Sequence, residues 1–269
     1  MLLFITASGE HMKLESNISV TIPVVGNLEY TEICMKSLLE HSTLVDEVIL
    51  IENSTEGETA KWALENYGKK ISLKIVYTGE MLGVAESWDI GIKMAKNNIV
   101  VVSNNDIDFC DNEWDRKLLE QWSEYENIAC FSPWPVSTKD QRLAVHNAPL
   151  DGLAGCCFAI KKDMIERTDN FKTKGMYIDR GFKRAYWEDA DLLVQIRQAG
   201  MESAVTPYTR VIHFENKTAG HMLPSGKDMN NPYWINLNYF NKKYNTNIWD
   251  YFKVFMSNIL DERTNKRII

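Results

Sequence analysis

No stretch of this chain approaches the roughly 20 consecutive apolar residues that a membrane-crossing helix needs. Its longest strongly apolar runs, such as NIVVVS at 98–103, are only strand-sized. Cysteine is scarce: Cys34, Cys110, Cys130, Cys156 and Cys157 are odd in number and show no paired CxxC spacing, which excludes a zinc-ribbon or disulfide framework. They sit mostly in apolar runs, where free thiols behave as small core residues, so a reducing, cytoplasmic compartment is expected. Positive charge is in deficit, with 30 Lys and Arg against 37 Asp and Glu, a formal charge of -7 and a pI near 5.4. Wrapping nucleic acid needs a concentrated basic surface, so that class is excluded, although nucleic acid as an acceptor substrate is not.

The opening MLLFITASGEHM has a five-residue apolar start and no basic flank, which is not the pattern of a secretory signal. Residues 1–15 are therefore set apart as a leader or appended segment. The whole chain is 45% apolar and 25% charged, the balance of an ordinary globular protein. A length of 269 residues suits one large domain with an appendage, read here as a catalytic domain over 16–219 and a helical extension over 220–269.

From Ile18 onward, short β-branched runs alternate with helical patterns, which is the signature of an α/β domain with a largely parallel sheet. Strands are expected at 18–25, 46–53, 73–78 and 98–108. The spacing of Tyr30, Ile33, Cys34, Ser37 and Leu38 predicts a helix after the first. Helices are expected at about 59–67, over GVAESWDIGIKMAKNN, and at 188–200, where Gly200 closes the last turn. Further along, 154–161 reads as a strand, 202–214 as one or two strands, and 232–243 and 248–260 as helices.

Ligands of open α/β sheets bind beyond the carboxyl ends of the strands, and Glu52, Asn53, Asn104 and Asp106 all fall at such ends. Three segments carry chemistry. SNNDIDF at 103–109 delivers Asp106 and Asp108 as hard oxygen ligands for a divalent ion, although a polar strand end is also a common turn. YWEDADL at 186–192 packs three carboxylates into a helix start, a pattern that serves equally for N-terminal capping. Trp187 beside them is more than a solvated cap requires, and a carboxylate there can take a proton from an acceptor hydroxyl. In RVIHFENKT, His213 closes an apolar strand and is either a buried structural histidine or a ligand at the same sheet end. Trp134, Tyr177, Tyr186 and Trp187 are candidates for stacking on a ligand ring, with Trp187 the preferred one and core packing the alternative for each.

Taken in order, these segments resemble family 2 glycosyltransferases of the GT-A fold, in particular the rhamnosyltransferase-like branch, over about 18–218. The family's first-strand turn matches Ile22, Pro23 and Val24, and its nucleoside-holding Asp-Asn-Gly-Ser matches Glu52, Asn53 and Ser54 without the glycine. MLGVAESWDIG keeps Gly83 and Gly91 of the next signature, with Met81 and Asp89 in place of asparagines. The metal motif is similar to Asn104, Asn105 and Asp106, followed by Trp114, and the segment before the acceptor region to GCCFAI beginning at Gly155. The Glu-Asp-x-Asp-Leu motif is intact as Glu188, Asp189, Ala190, Asp191 and Leu192, with Arg197 on the same helix and His213 beyond it.

The resemblance implies an inverting glycosyltransferase that moves a sugar from a nucleotide-diphosphate sugar to an acceptor hydroxyl with a divalent cation, Mn²⁺ or Mg²⁺. It implies Asp189 as base, with Glu188 and Asp191 orienting it. Asp106, Asp108 and His213 would be at the metal, and Pro23, Val24, Glu52, Asn53, Gly83, Asp89, Asn104 and Asn105 along the donor. Trp187 and Gly155 would face the acceptor, a glycan or another hydroxyl-bearing molecule. Two other readings stay open. A non-catalytic nucleotide-sugar or carbohydrate-binding protein would share the fold, and a nucleotidyltransferase would share the acidic ligands. PVVGNLEYTE, however, lacks the latter's Gly-rich basic loop. The polar aromatic segment NNPYWINLNYFNKKY in the extension is read as a helix over the sheet, or alternatively as an acceptor or homo-oligomer face.

Overall fold

Buried β-branched runs build the main sheet in the computed structural model, which describes residues 17–137, 152–214 and 231–246 together with two short strands near the start. Those two, β1 (Leu3–Ile5) and β2 (His11–Lys13), pair antiparallel with each other and not with the main sheet. The following elements are β3 (Ile18–Val24), α1 (Leu28–His41), β4 (Val45–Glu52), α2 (Glu58–Tyr67), β5 (Ser72–Tyr77), α3 (Val84–Met94), β6 (Ile99–Ser103), β7 (Ile107–Asp108) and α4 (Trp114–Trp122). Then come β8 (Ile128–Val136), β9 (Cys157–Lys161), α5 (Lys162–Ile165), α6 (Asp169–Lys174), α7 (Glu188–Gln198), β10 (Glu202–His213) and α8 (Pro232–Tyr244).

The main sheet has eight strands in the order β5-β4-β3-β6-β9-β8-β10-β7. Strands β5, β4, β3 and β6 run parallel, as the alternation of runs and helices predicts. Beyond β6 the largely parallel sheet becomes mixed. β9 runs antiparallel to both β6 and β8, β10 is parallel to β8, and β7 is antiparallel to β10. The run at 98–108 is also not one strand. It stops at Ser103, turns through the polar Asn104–Asp106 step, and resumes as β7 paired with β10.

Side chains alternate across each strand and fill two cores. Val48 and Leu50 of β4 face one side, with Cys34, Met35 and Leu38 of α1, Ala63 of α2, and Trp114, Leu118 and Trp122 of α4. Ile49 and Ile51 face the other, with Trp88 and Ile92 of α3, Leu192 and Ile196 of α7, and Phe240 of α8. Helices thus cover both faces and leave the carboxyl edge of the sheet to be lined by turns. The expected helix at 232–243 is α8, and the one expected at 248–260 lies outside the described residues.

Helix α3 crosses β3 with almost no room at Gly91, where an added Cβ would meet Thr21 Oγ1 at 1.8 Å and Thr21 Cβ at 2.7 Å. Both residues belong to packed interior elements, so neither yields cheaply. Gly91→Ala is expected to destabilise the fold by about 1–3 kcal/mol through overpacking, read as a lower urea midpoint with an unchanged slope. A variant as stable as the parent would show that α3 shifts freely over β3.

Candidate active site

The reversed strand β9 assembles the site. Because Ser103 pairs with Cys157, the residues leading into β9 lie at the carboxyl end of β6, and the Asn104 N–H donates to the Cys156 carbonyl at 2.8 Å. Asp106 follows in the turn, anchored by the Phe214 N–H, which donates to its carbonyl at 3.0 Å. The register that sets His213 opposite Ile107 brings the imidazole in, so that His213 Nε2 lies 3.2 Å from Asp106 Oδ1, with both side chains nearly buried. Asn105, also buried, donates through Nδ2 to Thr31 Oγ1 at 3.0 Å and ties the turn to α1.

Asp108 is the first departure from the expected metal set. It is held opposite Ile212 in β7, and no cluster of three or more His, Cys, Asp and Glu that would hold a metal ion occurs among the described residues. Of the three expected residues, Asp106 and His213 lie together. That pair still fits a divalent ion. It offers one hard carboxylate oxygen and one imidazole nitrogen from two strand ends, and an ion bound to nucleotide substrates takes its other ligands from phosphates and water.

Glu188 and Asp189 form the opposite wall, in the first turn of α7. Asp189 reaches the entry of β9 so closely that a Cβ at Gly155 would stand 2.4 Å from its Oδ2. Only glycine leaves that carboxylate in place. Its Oδ1 accepts from the Ala190 N–H at 2.8 Å. Cys156, next to Gly155, has its thiol raised well above the usual range, first by burial, then by Cys157 and Asp106, with Asp189 adding to it. Asp189 therefore lies against Gly155, and the next residue, Cys156, accepts from the Asn104 N–H two residues before Asp106. Burial raises Glu188, and the charge of Asp189 raises it further; burial likewise raises Asp189. Glu188 is 6% exposed, and its Oε2 has no hydrogen-bond partner among the described residues.

Asp191 corrects another expectation. On a helix, two residues on is roughly the opposite face, and there its Oδ1 accepts from Lys243 Nζ at 2.7 Å and Tyr244 Oη at 2.6 Å, both on α8. It orients α8 rather than the base. Lys243 also meets Asp179 Oδ2 at 2.6 Å. Burial pushes Asp179 up, but hydrogen bonds from Lys243, the Gly181 N–H and Lys174 overcome this and bring it down to about 2. Arg197 lies at the far end of α7, about 12 Å along the axis from Asp189.

The turn before α7 is unusual backbone. Arg184, Tyr186 and Trp187 all have positive φ, at 58°, 84° and 76°, a region that costs non-glycine residues about 1–2 kcal/mol each. Asn236 of α8, fully buried, holds it. Its Oδ1 accepts from the Lys183 N–H at 2.8 Å, and its Nδ2 donates to the carbonyls of Lys183, Ala185 and Tyr186 at 2.8–2.9 Å. Gly83 touches the same turn: a Cβ there would meet Arg184 N at 2.8 Å. Periodicity does not reveal Asn236, because nothing in a helical pattern marks which polar residue will face a carbonyl cluster.

The other expected donor residues sort into edge and frame. Pro23 and Val24 end β3, and the Val24 carbonyl accepts from the Asn53 N–H at 2.9 Å, while Asn53 Nδ2 donates to Ser87 Oγ at 3.0 Å. Glu52 is fully buried and accepts from the Ser54 and Ala60 N–H groups at 3.1 and 2.9 Å, so it fixes the start of α2. Asp89 is corrected from donor contact to frame. It is fully buried and accepts from the Tyr177 and Ile178 N–H groups, Arg180 Nε and Lys93 Nζ at 2.7, 3.3, 2.7 and 2.9 Å. Among the aromatics, Tyr177 is core, donating through its hydroxyl to Glu166 at 2.6 Å. Trp187 is half-buried against Tyr233 and Phe240 at 5.5 Å from each.

The sheet edge of this α/β domain thus carries a carboxylate–imidazole pair on one side and, on the other, the buried Glu188 beside the half-buried Asp189. The model of the glycosyl transferase family 2 matches residues 19–191, and the chain belongs to that family. No curated protein matches it by sequence. Among solved structures it is similar to the mannosyltransferase PcManGT from Pyrobaculum calidifontis in complex with GDP-Man and Mn²⁺, at 13% identity and TM-score 0.57 over 77% of this chain and 59% of that one. GalNAc-T7 with UDP, GalNAc and Mn²⁺ gives 18% and 0.57 over 74% and 43%, and S. aureus TarS 1-349 gives 13% and 0.55 over 74% and 60%. The likeness shows the GT-A fold, and the chain spans between 43% and 60% of the length of these structures.

Asn236→Ala removes the side-chain bonds that Asn236 makes to the left-handed turn and is expected to cost about 2–4 kcal/mol, measured by denaturant unfolding. Asn236→Asp should be at least as damaging, because a carboxylate would face the three carbonyls that Nδ2 now satisfies. Parent-like stability in both variants would mean that the turn holds itself.

Proposed function

We propose that the protein is an inverting, metal-dependent glycosyltransferase that moves a sugar from a nucleotide-diphosphate sugar to an acceptor hydroxyl. The observation that carries this is the juxtaposition of Asp189, raised by burial and set against Gly155, with the Asp106–His213 pair across the Cys156 turn. Asp189 takes the proton from the acceptor hydroxyl, which then attacks the anomeric carbon from the face opposite the leaving diphosphate. A raised carboxylate is the stronger base for that task. Glu188 stands beside it and holds the acceptor. Asn104, with its backbone fixed by Cys156, and Gly83, packed on the Arg184 turn, border the donor space.

Asp106 and His213 would hold a divalent cation, Mn²⁺ or Mg²⁺, which when bound neutralises charge on the departing diphosphate. GDP-Man and UDP with Mn²⁺ in the similar structures support this cofactor choice. The Asn104-Asn105-Asp106 spelling supports a place in the rhamnosyltransferase-like branch. All five cysteines are free thiols, and no helix among the described residues is long and apolar enough to cross a membrane; the thiols support a cytoplasmic setting.

Asp189→Asn is expected to lower transfer by about 10²–10⁴-fold with donor binding retained, the range typical of a lost general base. Near-normal turnover would remove Asp189 from this role. Asp106→Ala should instead weaken donor binding only when Mn²⁺ is present, as read by calorimetry with and without the ion. Because Asp189 must be ionised to act and burial raises it, the acid limb of the rate profile should fall above the ordinary aspartate value of about 3.9. The linked stability has the opposite sign. The raised Glu188 and Asp189 contribute stability below their unfolded values, and it is lost as pH rises through their folded ones.

A further inference from the structure

We infer that the acceptor is a saccharide chain, and that Tyr186, Tyr233 and Trp234 form the platform on which a sugar unit next to the reacting one stacks. The inference rests on the glycosyltransferase reading and adds the acceptor's chemical class to it. Large hydrophobic side chains are exposed together at the start of α8 and on the turn before α7: Tyr186 at 37%, Tyr233 at 38%, Trp234 at 37% and Ile235 at 43%. The rings form a continuous set, with Tyr233 5.7 Å from Tyr186, 5.0 Å from Trp234 and 5.5 Å from Trp187.

The patch is joined to the acidic turn by chain and by hydrogen bond. Tyr186 and Trp187 immediately precede Glu188 and Asp189, and Asn236, three residues after Tyr233, binds the Tyr186 carbonyl at 2.9 Å. Two buried polar atoms in this short stretch have no partner among the described residues, Glu188 Oε2 and Trp187 Nε1. A buried polar group without a partner is costly, and a ligand rich in hydroxyls that both donate and accept satisfies such atoms. Aromatic faces beside unpaired polar atoms suit a saccharide, which presents apolar C–H faces and hydroxyl edges on the same ring.

Other occupants fit less well. A stable protein partner needs about 20–30 residues a side, far more than this patch of four. A nucleic-acid strand would meet a chain of formal charge -7 and an acidic pair at the point of entry.

The test is binding of the full chain, and of Tyr186→Ala, Trp234→Ala and Trp234→Phe, to a printed array of neutral, acidic and amino oligosaccharides. Thermal midpoints confirm that the exposed variants fold. The wild type should bind at least one glycan, each alanine variant should weaken that binding about three- to tenfold, and Trp234→Phe should keep most of it. A blank array overturns the inference, as do alanine variants that bind like the wild type or displacement of the glycan by a single-stranded oligonucleotide. Hydrolysis of nucleotide-sugars by the wild type with Mn²⁺ is scored separately. Glycan binding without any hydrolysis would count against the transferase reading while leaving the platform standing, and hydrolysis with a blank array would do the reverse.

Discussion

Keeping a buried and a half-buried carboxyl group side by side at the start of α7 is the constraint on which the rest of this structure depends. Glu188 and Asp189 repel one another when both are charged, and each is penalised by burial. The helix N-terminus offsets part of this through its free N–H groups and dipole. The remainder falls on neighbours that cannot easily change. Gly155 leaves room for one carboxylate, Gly83 lets backbone approach backbone, and three residues with positive φ aim the turn. Asn236 accepts from the Lys183 N–H and shares its two Nδ2 hydrogens among three carbonyls, and these bonds, at about 1 kcal/mol each net, are of the order of the strain in those three residues.

The parallel half of the sheet and its helices were legible in the sequence because one physical signal, the spacing of buried apolar residues, governs them. Strands β3, β4 and β5 and helices α1, α2, α3 and α7 fall where that spacing puts them. β8 was not legible. Its sequence IACFSPWPV contains two prolines, which cannot donate to a ladder, and its pairing with β9 is confined to Cys130 and Phe131, before the first of them. The direction of β9 was equally hidden, since a buried strand reads the same whichever way its neighbours run.

Within the candidate site, the sequence pattern located acidic side chains but not their duties. Asp89, Asp106, Asp189 and Asp191 look alike as letters. One is locked by backbone N–H groups and an arginine, one faces a histidine, one faces a glycine, and one is held by a lysine and a tyrosine. What distinguishes them is the partner across space, which periodicity does not encode. Glu188 and Asp191 stand three residues apart on one helix turn, yet of the two only Glu188 keeps a buried oxygen with no partner among the described residues.

The family match ends at residue 191, two residues beyond Asp189, while His213, Asn236, Lys243 and Tyr244 all lie after it. The matched segment therefore carries the parallel strand ends and the Glu188–Asp189 pair, but not the groups that hold the acidic turn in shape or face Asp106. Because α8 contacts the turn through Asn236 and α7 through Asp191, a change in α8 reaches the acidic turn first. The sheet edge built from β3, β4 and the end of β6 rests on strand register instead, and the chain entering α3 meets the same turn at Gly83, where a Cβ would stand 2.8 Å from Arg184 N. The acidic turn is thus shaped from beyond the matched segment, while the strand ends lie within it.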